Sequence, residues 1–221
     1  MGILIGFSGL ANSGKDTCAD YLVENYKFAK ISLSDPIKRM VMEIYNFSEE
    51  QLWGESGKRN KPDKRYMKPL HLSKDRRSAE HMGYLTPREA LQKFGGVGRE
   101  CWSGTWLSIC LRNAKKLLIT PGASYSRKSG VGELIFNKRM LPGIAIPDGR
   151  YKNELDAIRE ADGKLVRIKR PEAGLVGQAA QHPSETEQQS IPDDYFDHII
   201  NNNGTLEDLY KETQLMYECL K

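Results

Sequence analysis

Cysteine is scarce in this sequence and follows no pattern. Cys18, Cys101, Cys110 and Cys219 form no Cys-x-x-Cys pair and no regular framework. That excludes a disulfide scaffold and a zinc ribbon, and it fits reduced thiols in a cytoplasmic protein. Histidine is equally thin: His71, His81, His182 and His198 show no His-Glu-x-x-His or other metal spacing. Long apolar runs are missing too. The longest, Ile3–Phe7, contains a glycine, far short of the roughly 18–20 apolar residues of a membrane span. The start of the chain lacks a basic stretch followed by an apolar one, the pattern of a secretory signal. No internal repeat is visible. The expectation is a cytoplasmic protein with no membrane partner.

What is present is a foldable chain of 221 residues, 39% hydrophobic and 28% charged. One domain of roughly 100–200 residues with a small insertion is the length prior. The 33 basic and 29 acidic residues give a net charge of only +4. That balance hides an asymmetry. Residues 58–77 hold nine basic and two acidic side chains, and residues 185–221 hold nine acidic and two basic. A basic segment in a balanced chain implies an anionic ligand at one place, not a surface built to coat nucleic acid. The plainer alternative is a solvated loop.

Hydrophobic spacing suggests alternating strands and helices. Gly2–Ser8 reads as a buried strand that breaks into a glycine-containing turn, with a helix following from Thr17. Phe28–Leu33 reads as a second strand. Ser34 or Asp35 can cap the next helix, with Pro36 at its first position. Residues 46–80 are polar, basic and weakly periodic. Thr86-Pro87-Arg88-Glu89 starts a helix that Gly95-Gly96 should end. Trp106, Ile109, Cys110, Asn113 and Leu117 suggest another. Residues 121–133, rich in Gly and Ser, read as an exposed loop or flap. Further strands are expected at Gly143–Pro147, Leu165–Ile168 and His198–Asn201. Helices are expected from Glu154 to Gly163 and after Gly204-Thr205. Such alternation predicts an α/β fold with a doubly wound parallel sheet.

The strongest chemical signal lies at the first strand–helix junction. Gly9-Leu-Ala-Asn-Ser-Gly14-Lys15 matches Gly-x-x-x-x-Gly-Lys, the phosphate-binding loop. Glycines let successive backbone amides turn inward around phosphate oxygens, and the helix that follows points its positive end at the same anion. Lys15 adds a mobile charge for the β- and γ-phosphates. The residues expected to hold ATP are therefore Ala11, Asn12, Ser13, Gly14, Lys15, Asp16 and Thr17. The hydroxyl that ligates Mg²⁺ in the usual motif is displaced one place, from Asp16 to Thr17, so Thr17, Asp16 or Asp148 through water is the expected metal contact.

Other segments, in order, resemble the phage-type deoxynucleoside monophosphate kinases. They are Ser13-Gly-Lys-Asp-Thr17, Ser34-Asp-Pro-Ile-Lys38, Thr86-Pro-Arg-x-x-Leu-Gln-x-Phe-Gly95, Trp106, Pro147-Asp-Gly-Arg150 with Asn153-Glu154, Arg170-Pro171, His182-x-Ser-Glu185 and Asn201-Asn-Asn-Gly-Thr205. They span most of the chain. After Phe94 the chain reads Gly-Gly-Val-Gly-Arg99, where that family usually has Gly-Thr-Glu. The resemblance implies a single three-layer P-loop kinase domain over residues 1–221, with a mobile, mostly helical and basic acceptor-binding insertion at about 46–120. It implies Mg-assisted in-line transfer of the ATP γ-phosphate to a deoxynucleoside 5′-monophosphate, in the host cytoplasm if the protein is phage-encoded. No stable nucleic-acid complex is expected, and a homodimer stays open.

A monophosphate acceptor must be brought up to a triphosphate that repels it, so cations from outside the loop have to converge. By resemblance Lys38 and Arg88 contact the acceptor, with Ile37, Gln92, Gly95 and Trp106 beside them and Asp148, Arg150 and Glu154 at the acceptor nucleotide. Lys15, Arg88 and Arg150 are the expected catalytic set. Asn202 and Gly204 should approach the ATP base through backbone groups. Arg167, Lys169 and Arg170 flank a strand exit, and one of them is expected to act as a lid residue on the transferring phosphate; the residues leave open which. Each position has a plainer reading. Lys38 can be a surface lysine, Arg88 can pair with Gln92, Asp148 can cap a helix, Trp106 can be core and Asn202–Gly204 can be a simple turn. A dephospho-coenzyme A kinase, or a nucleotide-dependent nucleic-acid binder using residues 58–77, are the alternative functions. No guanine-reading Asn-Lys-x-Asp occurs.

Overall fold

The computed structural model describes residues 2–68, 83–133, 139–171, 173–174 and 183–221. Two compact units are present. One comprises Met1–Leu33 and Leu107–Lys221, the other Ser34–Trp106.

The first unit is built on five parallel strands: β1 (Ile3–Ser8), β2 (Ala29–Lys30), β5 (Gly143–Ile146), β6 (Lys164–Lys169) and β7 (His198–Asn201), in the order β2-β5-β1-β6-β7. Period-two alternation sends successive side chains to opposite faces. Leu4, Ile144, Ile146 and Leu165 meet Cys110, Ala114 and Leu117 of α6 (Thr105–Ile119) and Leu155 and Ile158 of α7 (Lys152–Glu160). Ile5, Phe7, Ala145, Val166, Ile168 and Ile200 meet Cys18, Ala19 and Leu22 of α1 (Lys15–Tyr26) and Leu209 and Met216 of α9 (Leu206–Leu220). The result is the expected three-layer, doubly wound α/β fold. With β1 third in the sheet, the loop that leaves it opens at the strands' carboxyl edge, where ligands bind in such sheets.

Thr205 caps α9. Its hydroxyl accepts from the Asp208 amide at 3.2 Å, and Asp208 accepts from the Thr205 amide at 3.0 Å. The second strand is shorter than the expected Phe28–Leu33, because only Ala29 and Lys30 reach β5 in register. Residues 121–133 are not a loop. β3 (Ala123–Ser126) and β4 (Gly130–Glu133) form an antiparallel hairpin, and Ala123 is buried in the first core cluster. Gly130, at φ +85°, closes the turn where the chain enters β4. Helix α8 (Pro183–Ser190) had no counterpart among the expected elements.

The second unit holds α2 (Asp35–Tyr45), α3 (Glu49–Trp53), α4 (Ser56–Arg59) and α5 (Pro87–Cys101) around Val41, Phe47, Leu52 and Ala90. Thr86 caps α5 reciprocally with Glu89. The helix runs straight through Gly95-Gly96 and does not stop there. Packing explains this: Gly98 lies under Trp106, whose ring would be 2.3 Å from a Cβ at that position. The Trp106 indole donates to the Gly95 carbonyl at 3.0 Å. Gly98 grants the close approach to the indole; a Cβ on Gly95 would meet Ile37 at 3.4 Å, and one on Gly96 would meet nothing within 4 Å. Of the basic stretch, residues 69–77 lie outside the described residues.

Candidate active site

The phosphate loop begins where β1 ends. Gly9 takes φ +146° and Gly14 takes φ +108°, conformations that a Cβ would strain. Space is equally tight: a Cβ on Gly9 would sit 2.4 Å from the Ile168 carbonyl, and one on Gly14 would sit 2.8 Å from Asn202 Nδ2. Gly14 is the N-cap of α1, so the helix starts at Lys15 and its first amides face the loop.

Three contacts from other parts of the same unit hold the loop. Gln188 Oε1 accepts the Gly9 amide at 3.0 Å, the Gly174 amide donates to Ala11 at 2.8 Å, and Asn202 Nδ2 donates to the Ser13 carbonyl at 2.8 Å. Lys15 is folded back within the loop. Its ammonium donates to the Gly9 and Leu10 carbonyls, each at 2.6 Å, and it is only 8% exposed. At the last position of β1, Ser8 Oγ is buried with no hydrogen-bond partner among the described residues. Such an atom is one that a bound ligand or water satisfies.

Asp16 is exposed and forms an ion pair with Lys30 at 2.9 Å. Thr17 is half-buried on the first turn of α1. Among the described residues no three His, Cys, Asp or Glu side chains gather into a metal-binding cluster. The hard oxygen donors near the loop are single ones, which is how Mg²⁺ is held when substrate phosphates and water complete its shell.

A cavity of about 620 Å³ opens beside the loop. Gly9, Leu10 and Ser13 form one wall, Lys169–Pro171 another, and Gln188, Pro192 and Asn203 close it. The three cations at the β6 exit separate here. Arg167 is buried, with Nη1 on Asp193 Oδ1 at 2.8 Å, Nη2 on the Gln188 carbonyl at 2.8 Å, and its guanidinium 4.2 Å from the Phe196 ring centre. Lys169 pairs with Asp193. Arg170 is exposed on the cavity wall.

Asp148, Arg150 and Glu154 come together after β5. Asp148 accepts from the Ser32 hydroxyl and, at 2.9 Å, from the Leu33 amide, which ties the β5 exit to the β2 exit. It is not the N-cap of α7, a position Tyr151 takes. Glu154 Oε2 accepts the Arg150 amide at 2.8 Å and the Tyr151 amide at 3.1 Å. Burial pushes the Glu154 carboxyl up to about 7; the two amides pull it down and the Asp148 charge raises it further.

Of the remaining expected residues, Ile37, Lys38, Arg88, Gln92, Gly95 and Trp106 belong to the second unit. Ile37 is buried, and a methyl added to Gly95 would touch it at 3.4 Å. Lys38 Nζ lies 5.6 Å from the Trp53 ring centre, and the Trp53 indole donates to the buried Asp35 at 2.8 Å. Arg88 Nε donates to Asn60 Oδ1, while Gln92 is exposed. Trp106 spends its indole N–H on Gly95. Gly204 is exposed just before the cap of α9. His182 lies outside the described residues. Gln188 and Ser8 were not among the expected site residues. A glutamine in a polar helix and a serine at a strand end carry no signal of their own.

Residues 3–63 match the family described as deoxynucleotide monophosphate kinase. A protein of Acanthamoeba polyphaga mimivirus, named provisionally as a deoxynucleotide monophosphate kinase, is 31% identical over 214 residues, covering 95% of this chain and 93% of its own. Among solved structures, shikimate kinase from Aquifex aeolicus aligns with a TM-score of 0.49 at 13% identity, over 98% of this chain and 96% of its own. Dephospho-CoA kinase from Campylobacter jejuni aligns with a TM-score of 0.47 at 15% identity, over 99% and 96%. With the viral relative matched along nearly its whole length, the chain belongs to the deoxynucleotide monophosphate kinase family.

Proposed function

We propose that the protein transfers the γ-phosphate of Mg-ATP to the 5′-phosphate of a deoxynucleoside monophosphate, releasing ADP and a deoxynucleoside diphosphate. The observation that carries this reading is the pre-shaped phosphate loop, held from three sides with Lys15 stored inside it. Lys15 exchanges two carbonyl partners for β- and γ-phosphate oxygens, a trade of neutral acceptors for anionic ones that strengthens as charge develops. Amides of Asn12–Thr17 and the N-terminus of α1 complete the anion cradle. The nucleoside of ATP enters the cavity that Asn203 lines, between Asn202 and Gly204 in the chain. There Arg170, not the internally paired Arg167, is the cation placed to meet the triphosphate. Thr17, with Asp16 or Asp148 beside it, would hold Mg²⁺, which would supply charge neutralisation for the phosphates.

Lys38 and Arg88 serve the acceptor phosphate; Asp148, Arg150 and Glu154 serve the acceptor nucleotide. Four of the six cations in residues 58–68 have partners within the chain, which disfavours a polyanion-binding role for those four. Lys58, Arg65 and Lys68 pair with Glu50, Asp63 and Glu89, and Arg59 is spent on the Leu52 and Gly54 carbonyls. The test is ADP release from Mg-ATP against a panel of deoxynucleoside monophosphates, ribonucleoside monophosphates and dephospho-coenzyme A. ADP should appear with deoxynucleotides. Release with dephospho-coenzyme A alone would overturn the reading.

A further inference from the structure

We infer that Gln188 is a positioning residue for the phosphate loop, joining helix α8 to the loop's first amide and thereby setting the geometry in which ATP is held. The inference rests on the proposed use of that loop for ATP. Gln188 is 4% exposed, while Thr186, Gln189 and Ser190 of the same polar helix are exposed. Its side-chain oxygen accepts the Gly9 amide at 3.0 Å across 179 residues of sequence. Its own backbone is fixed from below: Arg167 on β6 donates to the Gln188 carbonyl at 2.8 Å and to Asp193 at 2.8 Å. The acceptor oxygen is therefore delivered by an anchored backbone, not by a wandering surface side chain.

Gly9 is where this matters. Its amide leaves β1 in a buried position, and its carbonyl is one of the two that store Lys15. Without the Gln188 oxygen, a buried amide loses its acceptor. Gly9 has the freedom to rotate toward another acceptor, since its φ of +146° is open to glycine alone. Such a rotation would carry the Gly9 carbonyl, and with it the resting place of Lys15 and the path of Leu10–Ser13. The effect should fall on ATP and on turnover, not on acceptor binding.

The test compares Gln188→Met, which keeps the volume and removes the acceptor, with Gln188→Glu, which keeps an acceptor oxygen. Two readouts are used: hydrogen exchange at the Gly9 amide by NMR on the full chain, and steady-state kinetics with each substrate varied separately. In Gln188→Met, Gly9 exchange should speed by at least about tenfold relative to the other β1 amides, and kcat/KM for Mg-ATP should fall about tenfold while the deoxynucleotide KM stays within about twofold. Gln188→Glu should keep the Gly9 amide protected. Unchanged Gly9 exchange and unchanged ATP kinetics in Gln188→Met would overturn the inference, as would equal losses for both substrates. If Gln188→Met does not fold, Gln188→Glu decides: Gly9 protected as in the natural chain supports the role, and Gly9 unprotected in a folded variant refutes it. A natural chain that releases no ADP with any deoxynucleotide would sink the proposed function instead, while Gly9 exchange would still report whether Gln188 holds the loop.

Discussion

Glu154 should make the protein less stable as pH rises from about 5 to 8. Its carboxyl titrates from an ordinary value of 4.5 up to about 7 in the fold, chiefly because burial disfavours the charged form and secondarily because Asp148 is near. The sign follows from proton counting. Between those two values the folded state holds a proton that the unfolded state has released. Stability is then full below pH 4.5 and drains away as pH rises through 7. At about 1.4 kcal/mol per pH unit, the loss comes to roughly 2–3 kcal/mol. Glu154→Gln removes the titration yet keeps a carbonyl oxygen for the Arg150 and Tyr151 amides. Urea titrations of both proteins at pH 5 and pH 8 isolate the effect, because other titrating groups cancel in the difference. Unfolding is the better assay here, since the acceptor phosphate itself titrates near pH 6, on the order of the same window. The natural protein should lose about 2–3 kcal/mol more than the variant over that interval. Parallel pH profiles would refute the reasoning. So would a natural protein that gains stability toward pH 8, which would mean the carboxylate is held ionised by Arg150.

Lys15→Ala should cut turnover on the order of 10²–10³-fold, because its phosphate contacts strengthen in the transition state; near-normal turnover of the purified variant would make the lysine a structural one. Arg88→Lys keeps the charge and removes the two-pronged grip on a phosphate, so kcat/KM for the deoxynucleotide should fall by about 1.5–3 kcal/mol with ATP affinity unchanged. Should ATP affinity collapse while the deoxynucleotide KM holds, Arg88 belongs to the donor site. Gly98→Ala should destabilise the protein by at least about 1–3 kcal/mol, as overpacking against Trp106 demands, and thermal unfolding of the variant measures it.

The parts of the fold that sequence makes legible are those set by local periodicity. Ile5 and Phe7 alternate with Leu4 because a strand has period two, and the two faces of β1 really do feed separate cores. The loop is legible for a related reason: Gly9, Gly14 and Lys15 each meet a local demand, of backbone angle or of charge, that few other residues satisfy. Gly95 and Gly96 mislead because a glycine need not take the left-handed angle that ends a helix: both stay within α5, and it is Gly98 whose missing Cβ admits the Trp106 ring. The hairpin over Ala123–Glu133 hides behind its Gly and Ser content for the same reason. Asp148 reads as a helix cap or a metal ligand from its place after a strand, yet its carboxylate also braces the Ser32–Leu33 backbone, a contact spanning 116 residues from Ser32. Such partners are invisible until the sheet order is known.

That limit bears on how the loop works. A glycine-rich loop is pliable, and pliability costs a catalyst whose main instrument is placement. Here the loop's own sequence supplies only permissive angles. Its rigidity is imported: from α8 through Gln188, from the segment after β6 through Gly174, and from the end of β7 through Asn202. Each strut grips a different residue of the loop, Gly9, Ala11 and Ser13, so no single rotation can move them all together. Two of the three come from the stretch between β6 and β7 that also walls the cavity beside the loop. If the nucleoside of ATP fills that cavity, as proposed, it presses on the same elements that hold the loop, and nucleoside binding and phosphate alignment then share one set of contacts. On that proposal the phosphates are placed most tightly when the cavity is filled.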